Sequence, residues 1–465
     1  MVDRPPLCLR PRVALLVAAL GVVVLSGTAL AHGGSLRSSP ARSLSIPLWL
    51  FLATGGGVVG ASFLLASFVT DREFIRSVEE YRRSVTLSAT VTRGLVLFGR
   101  AVGVVGLVAV VTVSLFGPRD PLGNLGVLVV WVAWWAGFTM TTYTVGNTWP
   151  VLNPWRTLAA FLPSLDRPYP DRMGAWPATV GLLALIWLEV VSPLADAPRL
   201  LAGVVLVYTV VTLAGAVYLG AERYFERVDP VSRVFRFYGA VAPLSRDEDG
   251  RIRFRLPGTG LESATLAGSR SEVAFVVALL WVTSYDGLVA TPPWGDALRP
   301  LVGLGVPAAL LYPLALLTGF GLFLVLFRVA VGRGKETAES YLDTELLARR
   351  FAPSLLAIAA GYHLAHYLGY FLELLPTLLA TLTDPLSPPG PRALVLPVWF
   401  DGFELTFVLV GHVVAIWVAH AVAYDLFPSR MQAIRSQYAL TAVMVFYTMT
   451  SLWIVSRPYA APPFV

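Results

Sequence analysis

Ten stretches of this chain are long, apolar and nearly free of charge, and the polar residues are gathered between them. A helix needs about 20 mostly apolar residues to cross a bilayer. The stretches cover residues 46–69, 95–116, 124–145, 177–192, 199–219, 272–289, 301–328, 354–376, 403–424 and 438–456, of which the fourth and sixth are short. Inside a bilayer a segment must satisfy its own backbone N–H and C=O groups, and a helix does so. The expected fold is therefore all-α, a polytopic helical bundle of about ten spans. Composition fits: 56% of residues are hydrophobic and only 14% charged, where a soluble domain carries about 25% charged residues.

Arginine placement gives the bundle a direction. Lys335 is the only lysine, so almost all positive charge is arginine. Starting outside at His32 and alternating, the inner loops hold Arg72, Arg76, Arg82, Arg83 and Arg93; Arg156, Arg167 and Arg172; nine arginines from Arg223 to Arg270; Arg333, Lys335, Arg349 and Arg350; and Arg430 with Arg435. The outer connections hold single arginines at 119, 199, 299, 392 and 457. This asymmetry predicts a multi-pass membrane protein with its arginine-rich loops inside and both mature termini outside. The net charge of +6 thus reports orientation, and nucleic acid is not an expected partner; the bilayer is.

Residues 1–31 read as a signal peptide. Arg4, Arg10 and Arg12 precede an apolar run from Val13 to Leu25, and Ala29-Leu30-Ala31 forms a cleavage site. Residues 32–465 then form one membrane domain. Cys8 is the sole cysteine, so a cleaved chain would have no disulfide, thiolate ligand or cysteine nucleophile.

Two inner loops carry structure of their own. Asp71 to Arg83 alternates charge with Phe74, Ile75, Val78 and Tyr81, as an interfacial helix would. Residues 221–270 form the largest insertion: a basic amphipathic helix along RYFERVDPVSRVFRFYGAVAPL, then a hairpin turning at Asp249-Gly250 into Ile252 and Phe254. The segment GNTWPVLNPWRTLAAFLP predicts an interfacial or re-entrant elbow. Trp131, Trp134 and Trp135 share one helical face and read as packing or lipid-belt residues. No GxxxxGK[ST] and no strand-borne GxGxxG is present, which argues against an ATP-driven pump.

Histidine placement is the best chemical handle. Four of five histidines lie in two successive spans, and ionisable groups there are costly unless paired. His363 and His366 share a helical face about 4.5 Å apart in rise. His412 and His420 stand about 12 Å apart along the next span. Antiparallel pairing of these spans is expected to set His366 near His412 in depth. Such a pair could hold copper, zinc, iron or a haem b, with His363, His420 and the N-terminal His32 as further candidate ligands, and a metal- or haem-binding membrane protein in redox chemistry or copper handling is the leading functional expectation. Ordinary hydrogen-bonded bundle residues and a proton relay are the competing readings. Glu189, Asp286, Glu373, Asp401 and Glu404 all map to outer halves or ends of spans, and Asp286 stands out within TSYDGL with Gly287 beside it. Secondary transport or proton-coupled permeation is the alternative function, suggested by intramembrane His and Asp and by the broken WP/NPW elbow.

The chain resembles a group of polytopic membrane proteins from actinobacteria and haloarchaea often labelled fenitrothion hydrolase. The resemblance runs through AHG followed by IPLWLF, GNTWPVLNPWRTL, RMGAWPATVGLLALIWLE, TSYDGL, FAPSLLAIAAGYHLAHY, GHVVAIWVAH and SQYALTAVMVFYTMTSLW. It implies common positions at His32, Asp286, His366, His412 and His420, with His363 as a local variation. It also implies organophosphate (phosphotriester) hydrolysis as a third function. The sequence itself offers no GxSxG, HExxH or HxH arrangement for that chemistry.

Overall fold

A computed structural model describes residues 48–247, 250–397, 399–458 and 460–464. The expectations for the signal peptide, Cys8, His32 and Asp249 fall outside those residues. The fold is all-α apart from one small sheet. In chain order, the first half holds α1 (Leu48–Phe68), α2 (Arg72–Glu80), β1 (Arg82–Val85), α3 (Ala89–Phe116), α4 (Leu125–Thr144), α5 (Trp149–Leu152), α6 (Pro154–Ala159), α7 (Trp176–Val191) and α8 (Pro198–Leu219). Then come α9 (Ala221–Arg227), α10 (Pro230–Val241), β2 (Leu244–Arg246), β3 (Ile252–Arg255), α11 (Arg270–Val289), α12 (Pro292–Gly303) and α13 (Ala308–Thr337). The chain closes with α14 (Thr344–Phe351), α15 (Leu355–Thr383), α16 (Phe400–Leu426), α17 (Arg430–Ser436) and α18 (Tyr438–Val455).

Among the described residues nine helices are long and apolar enough to cross a membrane: α1, α3, α4, α8, α11, α13, α15, α16 and the α17–α18 unit. Helix α7, at 16 residues, is the shorter tenth. Burial sorts them. Helix α11 is apolar on every side, and a helix of that kind belongs in a core; nearly every residue from Val273 to Gly287 is buried. It packs against α7, α13 and α15. Helices α3 and α8 are peripheral and expose Leu97, Phe98, Val105 and Val210.

Helices α15 and α16 form an antiparallel pair that crosses at two glycines. A Cβ on Gly361 would lie 2.5 Å from the carbonyl oxygen of Phe407, and one on Gly411 would lie 2.6 Å from that of Ala357. Small residues are what let helix backbones approach this closely. Helix α4 departs from regular α geometry: Val129–Phe138 is a π-helix between two α-helical ends. Such segments widen the turn and re-aim side chains.

The loops separate onto two faces. On the first, Arg72 binds the carbonyls of Tyr424, Phe427 and Pro428. Arg350 pairs with Asp425 at 2.7 Å, Arg349 reaches the Gly268 carbonyl at 3.0 Å, and Leu244 N donates to the Val145 carbonyl at 3.0 Å. Thus the arginine-rich loops gather together. On the opposite face Ala460 N donates to the Ala290 carbonyl, and the Tyr312 hydroxyl donates to the Pro463 carbonyl, both at 2.8 Å. Helix α7 begins at the basic face, where Ala175 N donates to Ser271 Oγ at 2.8 Å. Its length leads to the other side.

Two expectations for the basic face change. The helix begun at Asp71 ends at Glu80, and the chain then extends as β1 along the far edge of the hairpin. Arg82 pairs with Arg255 and Val85 with Ile252, giving a three-stranded antiparallel sheet ordered β1-β3-β2. The basic amphipathic stretch is also two helices. Pro230 starts a new helix, capped by Asp229 accepting from Ser232 N at 2.8 Å. Its Phe235, Phe237 and Tyr238 are at most 1% exposed, so α10 is buried against α4, α7 and α15 instead of lying along lipid. Arg255 caps the far end of α10 by donating to the carbonyls of Gly239, Ala240 and Ala242, a favourable place for a cation.

Candidate functional site

The site is built on one face of α15. Positions 363, 366, 367 and 370 recur at helical spacing, which puts His363, His366, Tyr367 and Tyr370 side by side. This face meets the last turn of α11, where Asp286 is 5% exposed. The close approach depends on Gly287, because a Cβ there would overlap the Tyr362 hydroxyl of α15. Across the gap Tyr367 donates to Asp286 Oδ2 at 2.7 Å. Nε2 of His366 lies 3.7 Å from the same oxygen, within ion-pair range if the ring is protonated. The His366 ring also stacks on Tyr362.

From there the polar groups continue toward the basic face. The His363 and Tyr367 rings touch, with centroids 4.6 Å apart. His363 is fully buried, and its Nδ1 lies 3.0 Å from the Tyr143 hydroxyl of α4. Tyr143 stands two residues before Val145, whose carbonyl is already tied to the basic face. Tyr238 of α10 packs edge-on against Tyr143 and also meets His363. The series Asp286, Tyr367, His363, Tyr143, Tyr238 thus draws on four helices and runs from the far half of the bundle to its basic end. Two steps, between Tyr367 and His363 and between Tyr143 and Tyr238, are ring contacts without a hydrogen bond.

Glu189 of α7 joins this cluster from the side. It lies near enough to Tyr285 and Tyr367 to act on both electrostatically, as Asp286 does. Trp135, in the π-helical part of α4, places its ring edge-on against both His363 and Tyr367. Of the other outer carboxylates, Glu404 accepts from Gly369 N at 2.9 Å, which ties α16 to α15.

The histidines of α16 are held differently. Nδ1 of His412 lies 2.7 Å from the Val408 carbonyl, one turn back in the same helix. A carbonyl only accepts, so Nδ1 carries the proton and Nε2 is the lone-pair nitrogen. That Nε2 is buried without a hydrogen-bond partner among the described residues. His420 is satisfied at both nitrogens: Nε2 donates to the Val69 carbonyl at 2.9 Å, and Nδ1 accepts from Gln437 at 3.4 Å. It joins α16 to the end of α1 and the start of α18.

The expected mid-membrane meeting of His366 and His412 does not follow from this geometry. Contacts between Gly361 and Gly411, and between Gly369 and Glu404, fix the register of α15 against α16. His412 then stands beside Gly361, and His366 stands level with Thr406. The two histidines are offset by roughly 8 Å along the bundle at 1.5 Å per residue. Among the described residues no three or more His, Cys, Asp or Glu side chains gather as a metal ion would require. His363 and His366 belong to the tyrosine–carboxylate chain, His420 is a polar joint, and His412 keeps one open nitrogen.

Sequence reasoning did not single out Tyr143, Tyr238, Tyr362 or Tyr367. The run Tyr362-His363-Leu364-Ala365-His366-Tyr367 carries a signal, since it interleaves tyrosines with histidines at helical spacing. The remaining partners sit on other helices, and no local pattern marks them.

At the basic face a cavity of about 510 Å³ is lined by Glu79, Glu80, Arg82, Arg253, Arg255 and Glu262, among others. Burial pushes the Glu262 carboxyl up to about 8, and neighbouring Glu79 adds to the rise against the opposing pull of Arg82, Arg255 and Arg350. Comparison with known family models, curated proteins and solved structures finds no match to this chain.

Proposed function

We propose that this chain is a ten-span membrane protein, arginine-rich face toward the cytoplasm, that moves protons along its buried tyrosine–histidine–carboxylate chain as part of proton-coupled transport. The observation that carries the reading is the Tyr367–Asp286 hydrogen bond of 2.7 Å, placed in the most enclosed helix of the bundle and continued by the His363–Tyr143 contact at 3.0 Å. A buried carboxylate in a bilayer is expensive unless it is paired, and one that is kept usually serves a pathway. Each group in the series can both give and accept a proton at one atom or across one ring. The arginine sorting and the two-faced packing of the loops support the orientation.

The test is proton flux into proteoliposomes that contain a pH-sensitive dye, driven by an imposed potential. Protein-dependent acidification is expected, with Asp286→Asn and Tyr367→Phe both strongly impaired. Undiminished flux in folded Asp286→Asn would remove the carboxylate from the pathway and with it this reading. Orientation is read separately, since Cys8 is the only native cysteine: a cysteine introduced at Ser263 should react only with reagents that reach the inner side.

One observation favours a second reading, a metal or haem site. His412 has the arrangement that ligating histidines adopt, with one ring nitrogen held by a carbonyl and the other bare and buried. Metal analysis and an optical spectrum of detergent-purified protein test it. Neither stoichiometric metal nor a Soret band that disappears in His412→Ala would leave nothing of it.

A further inference from the structure

Helix α3 carries an arginine for which the fold supplies no counter-charge. Arg100 stands in its apolar stretch, with Leu95, Leu97 and Phe98 exposed before it and Val102 and Val105 exposed after it. Arg93 lies two helical turns earlier, on the same flank. Both arginines are exposed, and among the described residues neither has an ion pair or a hydrogen bond. Arg328 shows the other solution: it too lies in a long apolar helix, α13, and there Glu345 pairs with it at 2.6 Å. A charge at bilayer depth is costly without such a partner. The turn that carries Arg100 is also held in place. A Cβ on Gly99 would lie 2.6 Å from Val151, and one on Gly103 would overlap the Leu152 carbonyl, so the α5 elbow clamps α3 at this level.

The length of α3 sets the depth of the two arginines. Its 28 residues run about 42 Å at 1.5 Å per residue, roughly 12 Å more than the hydrocarbon core. Its far end is marked by the exposed Phe116, followed by Gly117, Pro118, Arg119 and Asp120. With Phe116 at the outer boundary, the inner boundary falls near Leu97. Arg100 then starts about 4.5 Å inside the apolar layer, and Arg93 starts about 6 Å outside it. Helical side chains lean toward the N-terminus, which on α3 is the basic end, just after β1. Arg100 therefore reaches back toward the headgroups and toward Arg93.

We propose that Arg93 and Arg100 bind the phosphate of an anionic phospholipid of the inner leaflet, with its acyl chains along the exposed apolar face of α3. The guanidinium fork matches phosphate oxygens and forms charge-assisted hydrogen bonds with them. Two cations with no carboxylate paired to them favour a lipid of net negative charge over a zwitterionic one. Free phosphate has no acyl chain to hold it at the depth of Arg100. The site rests on α3 crossing the bilayer with its basic end inside, and not on proton movement through the polar chain.

The experiment strips full-length protein of lipid in detergent and titrates it with phosphatidylglycerol or with phosphatidylcholine of the same chains, read by native mass spectrometry. One tightly held phosphatidylglycerol per chain is expected, about 25-fold tighter than phosphatidylcholine and not displaced by inorganic phosphate. Arg93→Gln and Arg100→Gln should each weaken it about fivefold, the scale of one basic residue at an anionic surface. Arg76→Gln, which removes an exposed arginine of α2, should change nothing. Equal binding of the two lipids, displacement by inorganic phosphate, or an equal loss in Arg76→Gln would overturn the site. So would binding unchanged in both α3 variants, or a polypeptide crosslinked at residue 100 where the lipid should be. Carbonate extraction of the membranes separates the two ways to fail. Protein that stays in the membrane yet shows no lipid preference sinks the site alone; protein released by carbonate sinks the membrane reading with it.

Discussion

Helices α15 and α16 lie against each other and carry two histidines each, yet the two pairs are held by opposite kinds of partner. On α15, His363 meets the Tyr143 hydroxyl and His366 approaches the Asp286 carboxylate. On α16, His412 and His420 bind the main-chain carbonyls of Val408 and Val69. A hydroxyl or carboxylate can change its proton and pass the change on. A main-chain carbonyl only accepts, so it fixes the tautomer of its histidine. Depth in the bundle is therefore a poor guide to what a buried histidine does; the chemistry of its partner decides.

The strongest way to break this comparison is to neutralise the α15 side. Asp286→Asn and Tyr367→Phe should each reduce proton flux by about 100-fold or more, the scale of losing a positioned proton-transfer group. Both variants should keep the gel-filtration profile of the parent. Next in size is the α16 joint. His420→Ala leaves the Val69 carbonyl and Gln437 short of a partner and opens a cavity, with an expected loss of about 2–4 kcal/mol in stability. Thermal unfolding in detergent checks it, and the flux per folded molecule should be unchanged. A flux defect in His420→Ala without loss of stability would put His420 into the pathway and erase the distinction.

His412 sharpens the contrast at smaller scale. Its open Nε2 is a buried polar atom without a hydrogen bond, so His412→Leu should change stability by less than about 1.5 kcal/mol in either direction. A large loss would mean that the nitrogen is occupied in the native protein. The smallest effect concerns Glu262, outside both helices. Its folded carboxyl titrates near 8, above the ordinary carboxylate value. The unfolded group ionises first as pH rises, so its neutral form favours the folded face below about pH 4.5, and that contribution is lost as pH climbs through 8. Glu262→Gln should flatten the pH dependence of stability between these limits, measured by thermal shift across pH 5 to 9.

The long apolar helices and the grouping of arginine loops were legible because apolar length and charge placement are one-dimensional patterns. The hairpin around Ile252 and Phe254 was visible in its alternation, but its third strand was not. Arg82–Val85 has no strand pattern of its own and pairs only because β3 presents an edge. Within the site, Asp286 and His366 stand out as polar residues in apolar runs. Their partner Tyr367 does not, and Tyr143 is separated from His363 by 220 residues. The offset of His366 from His412 was hidden for another reason: it depends on where two glycines let α15 and α16 touch. For the activity implied by resemblance, the recorded partners of His363, His412 and His420 are tyrosine, main chain and glutamine, and no serine or threonine hydroxyl is among them.

The small sheet on the basic face sets a timetable for biogenesis. Arg82–Val85 leaves the ribosome about 170 residues before its partner Ile252–Arg255, an interval of about 10–35 seconds at ordinary synthesis rates. Throughout that time α3, α4, α7 and α8 are being synthesised while β1 waits as a bare edge. Arg82 and Arg83 guard it, since charge on an unpaired edge discourages pairing with the wrong chain. When the β2–β3 hairpin emerges it closes the first loop against the fifth and locks the early helices to those that follow. A nascent chain stopped before residue 250 would hold its first helices without that latch, its first strand still unpaired where the finished protein shows a sheet.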